Sequence, residues 1–311
     1  MADSAGTSRA SRGRLILATV AFVVWAPLSF APLPFAALML AAHPGRGPER
    51  RLAALVGVPS IGLVALSSGS LLGAAAQTYL VLFTAAFVGL TLMAPTSFLR
   101  QALRASLLAF GAGLMLARLT LGASAAPLLF WTATRQANEI LRLAVQQRPE
   151  LYIVFEPAAR FFSATLPASL VLQGIAGLAL AWRWHEQLAR TPLGAPLAPF
   201  REFRFSDGWV WGIVGAIVIW ITPVLAGLKA AALNLIVLLG ALYLLRGAAI
   251  VVAFAAVAGI SPAALTIALA VSALLTLPLL FLLPGLATLG VTDTWLEFRR
   301  RLASGPAHDR G

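Results

Sequence analysis

From Leu15 to Gly290 the apolar residues come in stretches of roughly 15 to 30, parted by short loops that carry arginine, a length that suits hydrocarbon-spanning helices. The first stretch, Leu15 to Ala42, would be about 42 Å long as one helix, against a hydrocarbon core of about 30 Å. It holds Pro27, Pro32 and Pro34 near its middle and has Arg9, Arg12 and Arg14 before it and Arg46, Arg50 and Arg51 after it. Basic flanks on both sides predict a hairpin or re-entrant pair turning at Pro27 to Pro34, because positive loops stay on the cytoplasmic side. Leu52 to Leu66 then goes out, Ser67 to Ser70 turns, and Leu71 to Met93 returns to a loop with Arg100 and Arg104. Ser106 to Leu121 goes out again, Phe161 to Trp182 comes back, and Trp209 to Leu225 crosses outward.

Between these crossings the pattern changes period. Phe130, Ala133, Ala137, Ile140, Leu141 and Ala144 recur at helical spacing, while Arg135, Glu139, Arg142 and Gln146 fall on the opposite face. This predicts an amphipathic helix within an outer segment, 124–158, ending before Pro149. Such a helix either lies at the membrane interface or covers an outward-facing cavity. The last third poses a parity problem: Ala230 to Val257 and Pro262 to Gly290 make two crossings, which would leave Arg299, Arg300 and Arg301 outside. Either Arg246 marks a turn inside the first segment, or Pro278 and Pro284 break the second.

The expected architecture is all-α, a polytopic integral membrane helical bundle of about eight or nine membrane elements, some broken by proline, plus one outer amphipathic helix. A disordered tail, 1–14, precedes a single transmembrane domain, 15–292, whose cytoplasmic loop spans 183–208. A tail at 293–311 follows it, and both termini are expected on the cytoplasmic face of the inner (plasma) membrane.

Composition sharpens this picture. With 60% hydrophobic and 11% charged residues and a mean hydropathy of +0.89, the chain has too little polar surface for water, so the lipid bilayer is its expected partner. The net charge of +12 is spread over loops rather than gathered on one face, which argues against nucleic acid and for loops held near anionic lipid. No cysteine occurs, so thiolate chemistry and disulfides are excluded.

Catalytic constellations are missing from the pattern. His43, His185 and His308 are far apart, no GxxxxGK[ST] phosphate loop occurs, and the four aspartates are scattered. The expectation is a protein that is not an enzyme, with no cofactor and no metal. Polar residues inside apolar segments are the better lead, since a charge at a membrane helix centre costs about 2.5–3.5 kcal/mol on insertion scales. Arg246 is the strongest case: a cation facing an internal cavity, with Glu156 or a bound anion as counter-charge, or a loop arginine at a helix break. Glu156 and Arg160 lie four apart, as a local ion pair would. With Glu139 they border the expected outer cavity, and Asn234 is a neutral hydrogen-bonding candidate.

Three blocks near the C-terminal end carry a resemblance. The run Pro199-Phe200-Arg201-Glu202-Phe203-Arg204-Phe205-Ser206-Asp207-Gly208-Trp209-Val210-Trp211 resembles the aromatic-basic block before a membrane helix in the YybS-like bacterial membrane proteins, domain of unknown function 2232. Asn234 with Leu242-Tyr243-Leu244-Leu245-Arg246-Gly247-Ala248-Ala249-Ile250-Val251 is similar to that family's Asn and LYxLQGLAIV segment. Leu289-Gly290-Val291-Thr292-Asp293-Thr294-Trp295-Leu296-Glu297-Phe298-Arg299-Arg300 is similar to its closing LGxxDxWxDFR motif. Arg246 stands where the family usually has Gln. The resemblance implies no established activity. In layout the family is similar to substrate-binding components of energy-coupling-factor transporters and to the rod-shape protein MreD. The transporter kinship points to an AxxxA contact with a coupling subunit, which Ala37 and Ala41 fit.

Two functions follow as expectations. One is a non-catalytic small-molecule-binding transport component that needs a separate ATPase, with Arg246, Glu156, Arg160, Glu139 and Asn234 near its ligand. The other is a membrane scaffold of the cell envelope that docks a cytoplasmic partner on Phe200, Arg201, Phe203, Arg204, Trp209, Asp293, Trp295, Arg299 and Arg300, a basic-aromatic surface entering the membrane.

Overall fold

The structure, a computed structural model, describes residues 30–42, 48–66, 69–94, 96–146, 152–189, 193–261, 264–265, 267–268, 271 and 277–298, and among these there are helices and no strands. The N-terminal tail, the first half of the expected hairpin with its turn at Pro27, and Arg299 to Arg301 lie outside the described residues. By its internal contacts the chain divides into two units, Met1–Leu197 and Ala198–Gly311, parted within the expected cytoplasmic loop.

The first unit holds α1 (Pro32–Ala42), α2 (Pro48–Leu66), α3 (Leu71–Met93), α4 (Phe98–Leu121), α5 (Ala125–Val145), α6 (Tyr152–Ala164) and α7 (Leu166–Leu188). Helix α3 starts and stops where its hydropathy does. Ser70 caps it, accepting from the Gly73 N–H at 3.0 Å and satisfying one of the free donors of the first turn. Helix α7 begins five residues later than the apolar run because Thr165 interrupts the helix and Pro167 opens the next one, where its missing N–H costs nothing.

Helices α3 and α4 pack antiparallel in a register set by two layers: Tyr79 hydrogen-bonds Ser106 at 3.0 Å, and Phe87 meets Phe98 edge-on at 5.7 Å. Against this pair α7 brings Trp182, 5.6 Å from Phe87. Helix α1 contributes Phe35, Leu38 and Met39 to the same buried core. Gly177 is required here, because a Cβ at that position would overlap the Phe30 carbonyl where the chain enters α1.

The second unit contains α8 (Trp209–Ile221), a 3₁₀ turn at Pro223–Leu228, α9 (Lys229–Val257) and α10 (Leu277–Leu296). Helix α9 runs unbroken through Arg246, so the turn considered there does not form. Helix α10 has Pro278 in its first turn, passes through Pro284, and continues past Asp293, where a tail was expected. Helices α9 and α10 approach so closely that a Cβ on Gly247 would overlap the Leu286 carbonyl and one on Gly290 the Tyr243 carbonyl. Small residues permit this backbone approach between antiparallel helices.

Among the described residues four stretches are long and apolar enough to cross a membrane: Leu71–Met93, Phe98–Leu143, Leu166–Leu188 and Pro223–Val257. The shorter apolar helices Pro32–Ala42 and Trp209–Ile221 accompany them, so the described residues do not account for all of the eight or nine elements expected. The second stretch is no single rod, since Gly122, at φ 71°, and the 3₁₀ turn Gly122–Ser124 part α4 from α5. Large apolar side chains such as Leu107, Met115 and Leu119 stand exposed on α4, as lipid-facing positions do.

Candidate functional site

The three C-terminal sequence blocks converge inside the second unit on one side chain. Arg246, on α9, is 0% exposed. Its Nε donates to Asp293 Oδ2 on α10 at 2.9 Å, and its Nη1 donates to Asp207 Oδ1 at the entrance to α8 at 2.6 Å. A guanidinium is suited to this place, because its planar fork meets two carboxylates in different directions. Asp293 is itself 1% exposed, whereas the Asp207 side chain is 48% exposed. The clamp therefore has one dry arm and one wet arm.

Each aspartate also has a bond with the backbone, Asp293 through its carboxylate and Asp207 through its main-chain carbonyl. Asp293 Oδ1 accepts from the Phe298 N–H at 3.0 Å, holding the chain as it leaves α10. Asp207 lies in the turn that starts α8, and its carbonyl accepts from Val210 N–H at 3.2 Å. An aromatic ladder joins the buried end to the surface. The Arg246 guanidinium lies over the Phe205 ring at 5.7 Å, and Phe205 meets Tyr243 edge-on at 4.9 Å. Phe203 lies 6.1 Å from Phe205 and stacks on Phe200 at 6.4 Å. A cation over an aromatic face gains more when water is excluded, as it is here.

Formally the cluster carries one positive and two negative charges. Arg246 Nη2 is buried with no hydrogen-bond partner, and the buried Tyr243 and Thr294 hydroxyls face one another without a well-formed hydrogen bond. With two nitrogens committed to carboxylates, the guanidinium is a fastener joining three segments rather than an open cation. Among the described residues no group of three or more His, Asp or Glu side chains is placed to hold a metal.

The expected counter-charge for Arg246, Glu156 or an anion, is replaced by Asp207 and Asp293. Glu156 instead pairs with Arg160 one turn along α6. Glu139 pairs with Arg135 on α5 at 3.0 Å, in the open. Asn234 donates from Nδ2 to the Ala230 carbonyl of its own helix at 2.8 Å. Glu139, Glu156 and Arg160 belong to the first unit, Arg246 and Asn234 to the second.

Of the docking candidates, Phe200, Arg201, Arg204, Trp209 and Trp295 are exposed and Phe203 is half-buried. Asp293 is corrected: it is a buried partner of Arg246 and offers nothing to a docking protein. Arg299 and Arg300 lie outside the described residues. Asp207 was given no role by the sequence pattern. Its signal was available, as a carboxylate at the mouth of an apolar helix in a chain with a buried arginine still lacking a partner.

No curated protein and no solved structure matches the chain. The family described as predicted membrane protein (DUF2232) matches residues 15–294, a span that includes every member of the clamp, and the chain belongs to that family.

Proposed function

We propose that this protein is a non-catalytic multi-pass membrane component that works by docking a cytoplasmic protein on the loop Pro199–Asp207 and the start of α8. The observation that supports this reading is the Asp207–Arg246–Asp293 clamp. It immobilises the loop on two apolar helices while Phe200, Arg201, Arg204, Trp209 and Trp211 remain exposed. Holding the rim rigid in advance reduces the ordering cost of binding, and exposed aromatic and arginine side chains are the residue types that dominate interface energetics. The basic rim favours a partner with an acidic surface.

A small-molecule site built on Arg246 would need a cation free to meet its ligand, and this guanidinium is already held by two carboxylates. The docking reading applies equally to a transport component that works through a separate ATPase and to an envelope scaffold. The cytoplasmic placement of this face follows from its arginines.

A photo-crosslinking residue at Phe200 in the full-length protein tests the proposal in cells. The expected result is an adduct with a discrete cytoplasmic protein, lost in Arg201→Ala/Arg204→Ala while membrane insertion is unchanged. Adducts with lipid alone, or protein adducts indifferent to both arginines, would overturn it.

A further inference from the structure

The hairpin of α5 and α6 takes no part in the clamp, yet it carries an exposed surface unlike that of a water-facing element. Phe130, Trp131, Ile140 and Leu143 on α5 and Ile153, Phe155 and Phe162 on α6 are all exposed. Large apolar side chains exposed in this number mark contact with a partner or a membrane. The polar side of α5 is equally well formed, with Arg135 paired to Glu139 and Arg142 exposed beside them. Arg135 also lies over the Trp131 ring at 5.5 Å, so this indole is held at the border between the two sides.

The chain's connections decide what covers the apolar side. Only the turn Gly122–Ser124 parts α4 from α5, and only Thr165 parts α6 from α7. Three residues of 3₁₀ helix advance about 6 Å, so both ends of the hairpin stay close to the ends of α4 and α7. Both of those helices belong to stretches long and apolar enough to cross a membrane. Helix α5 touches α3 as well as α4 and so does not continue along the axis of α4. A hairpin tethered at both ends to membrane crossings has the bilayer surface as the nearest apolar phase.

We infer that the α5–α6 hairpin is an in-plane membrane anchor whose partner is the interfacial region of the bilayer. Phe130 and Ile140, which flank the seam with α6, lie below the headgroups. Arg135, Glu139 and Arg142 face water, with Trp131 at the boundary, as amphipathic interfacial helices and aromatic belts are arranged. The described ionisable groups of the hairpin sum to one net positive charge (Arg135, Arg142 and Arg160 against Glu139 and Glu156), which is compatible with an anionic membrane surface.

The chain has no cysteine, so single spin labels at Phe130→Cys, Ile140→Cys, Glu139→Cys and Arg142→Cys give a direct test in the full-length protein in phosphatidylethanolamine–phosphatidylglycerol vesicles. Collision with oxygen should exceed collision with a water-soluble nickel chelate at 130 and 140, and the ratio should reverse at 139 and 142. Labels at Phe162→Cys and Arg160→Cys repeat the contrast on α6, should one α5 variant fail to fold. Nickel access at all positions would show a hairpin standing in water as a lid. Shielding from both reagents at 130 and 140 would show a protein covering it. Either outcome overturns the anchor.

Discussion

Replacing Arg246 by methionine removes the charge while keeping much of the stem, and the burial of its two partners sets the size of the effect. Asp293 is 1% exposed, so losing the guanidinium leaves a carboxylate with no counter-charge in a dry site, which costs about 3–5 kcal/mol. Asp207 is 48% exposed and is rehydrated when released, so its arm is worth about 0–1 kcal/mol. The clamp is therefore lopsided: Arg246→Met and Asp293→Asn should both destabilise strongly, and Asp207→Asn weakly. Adding Asp293→Leu to Arg246→Met should recover part of the loss, since an apolar pair of similar volume often matches a buried ion pair. The assay is unfolding in mixed micelles titrated with sodium dodecyl sulfate, followed by tryptophan fluorescence and read as a double-mutant cycle. If Arg246→Met costs no more than Asp207→Asn, or if the cycle shows no coupling between Arg246 and Asp293, the buried clamp is not what holds this unit together.

Glycine substitutions along α9 and α10 should split by sign. Gly247→Ala and Gly290→Ala each push a methyl into a backbone carbonyl of the facing helix and should cost about 1–3 kcal/mol in the same unfolding assay. Gly240→Ala meets nothing within 4 Å and should stabilise by up to about 1 kcal/mol through helix propensity alone. Tyr79→Phe should cost about 0.5–1.5 kcal/mol by removing the bond to Ser106, and adding Ser106→Ala should cost little more, because both substitutions break the same bond. Arg201→Ala and Arg204→Ala should each leave stability nearly unchanged, within about 0.5 kcal/mol, while together abolishing the crosslink from position 200. A large loss of stability from either would mean that the exposed rim belongs to the clamp rather than to a docking surface.

Much of the fold was legible because hydropathy is a local property and lipid rewards it residue by residue. Helix α3 has the bounds its apolar run predicts, and α5 contains the amphipathic pattern from Phe130 to Ala144. Boundaries failed where a single residue acts against its surroundings. Thr165 and Pro167 restart the chain inside one apolar run, whereas the end expected at Leu121 is where Gly122 turns the chain. Arg246 misled in the opposite direction. Its charge suggested a helix end, yet the helix continues because the charge is neutralised from outside it.

The amino-acid order alone determined the membrane setting, the helical class and Arg246 as a costly charge, since each depends on composition within a window of about twenty residues. It could not say which groups neutralise Arg246. Asp207 is 39 residues before it and Asp293 is 47 after it, on segments whose own patterns give no direction in space. Tertiary packing decided that question. The close approach of α9 and α10 at Gly247 and Gly290 brings Asp293 within reach, and the turn into α8 brings Asp207. A buried guanidinium is tolerable only where carboxylates from elsewhere in the chain arrive with it.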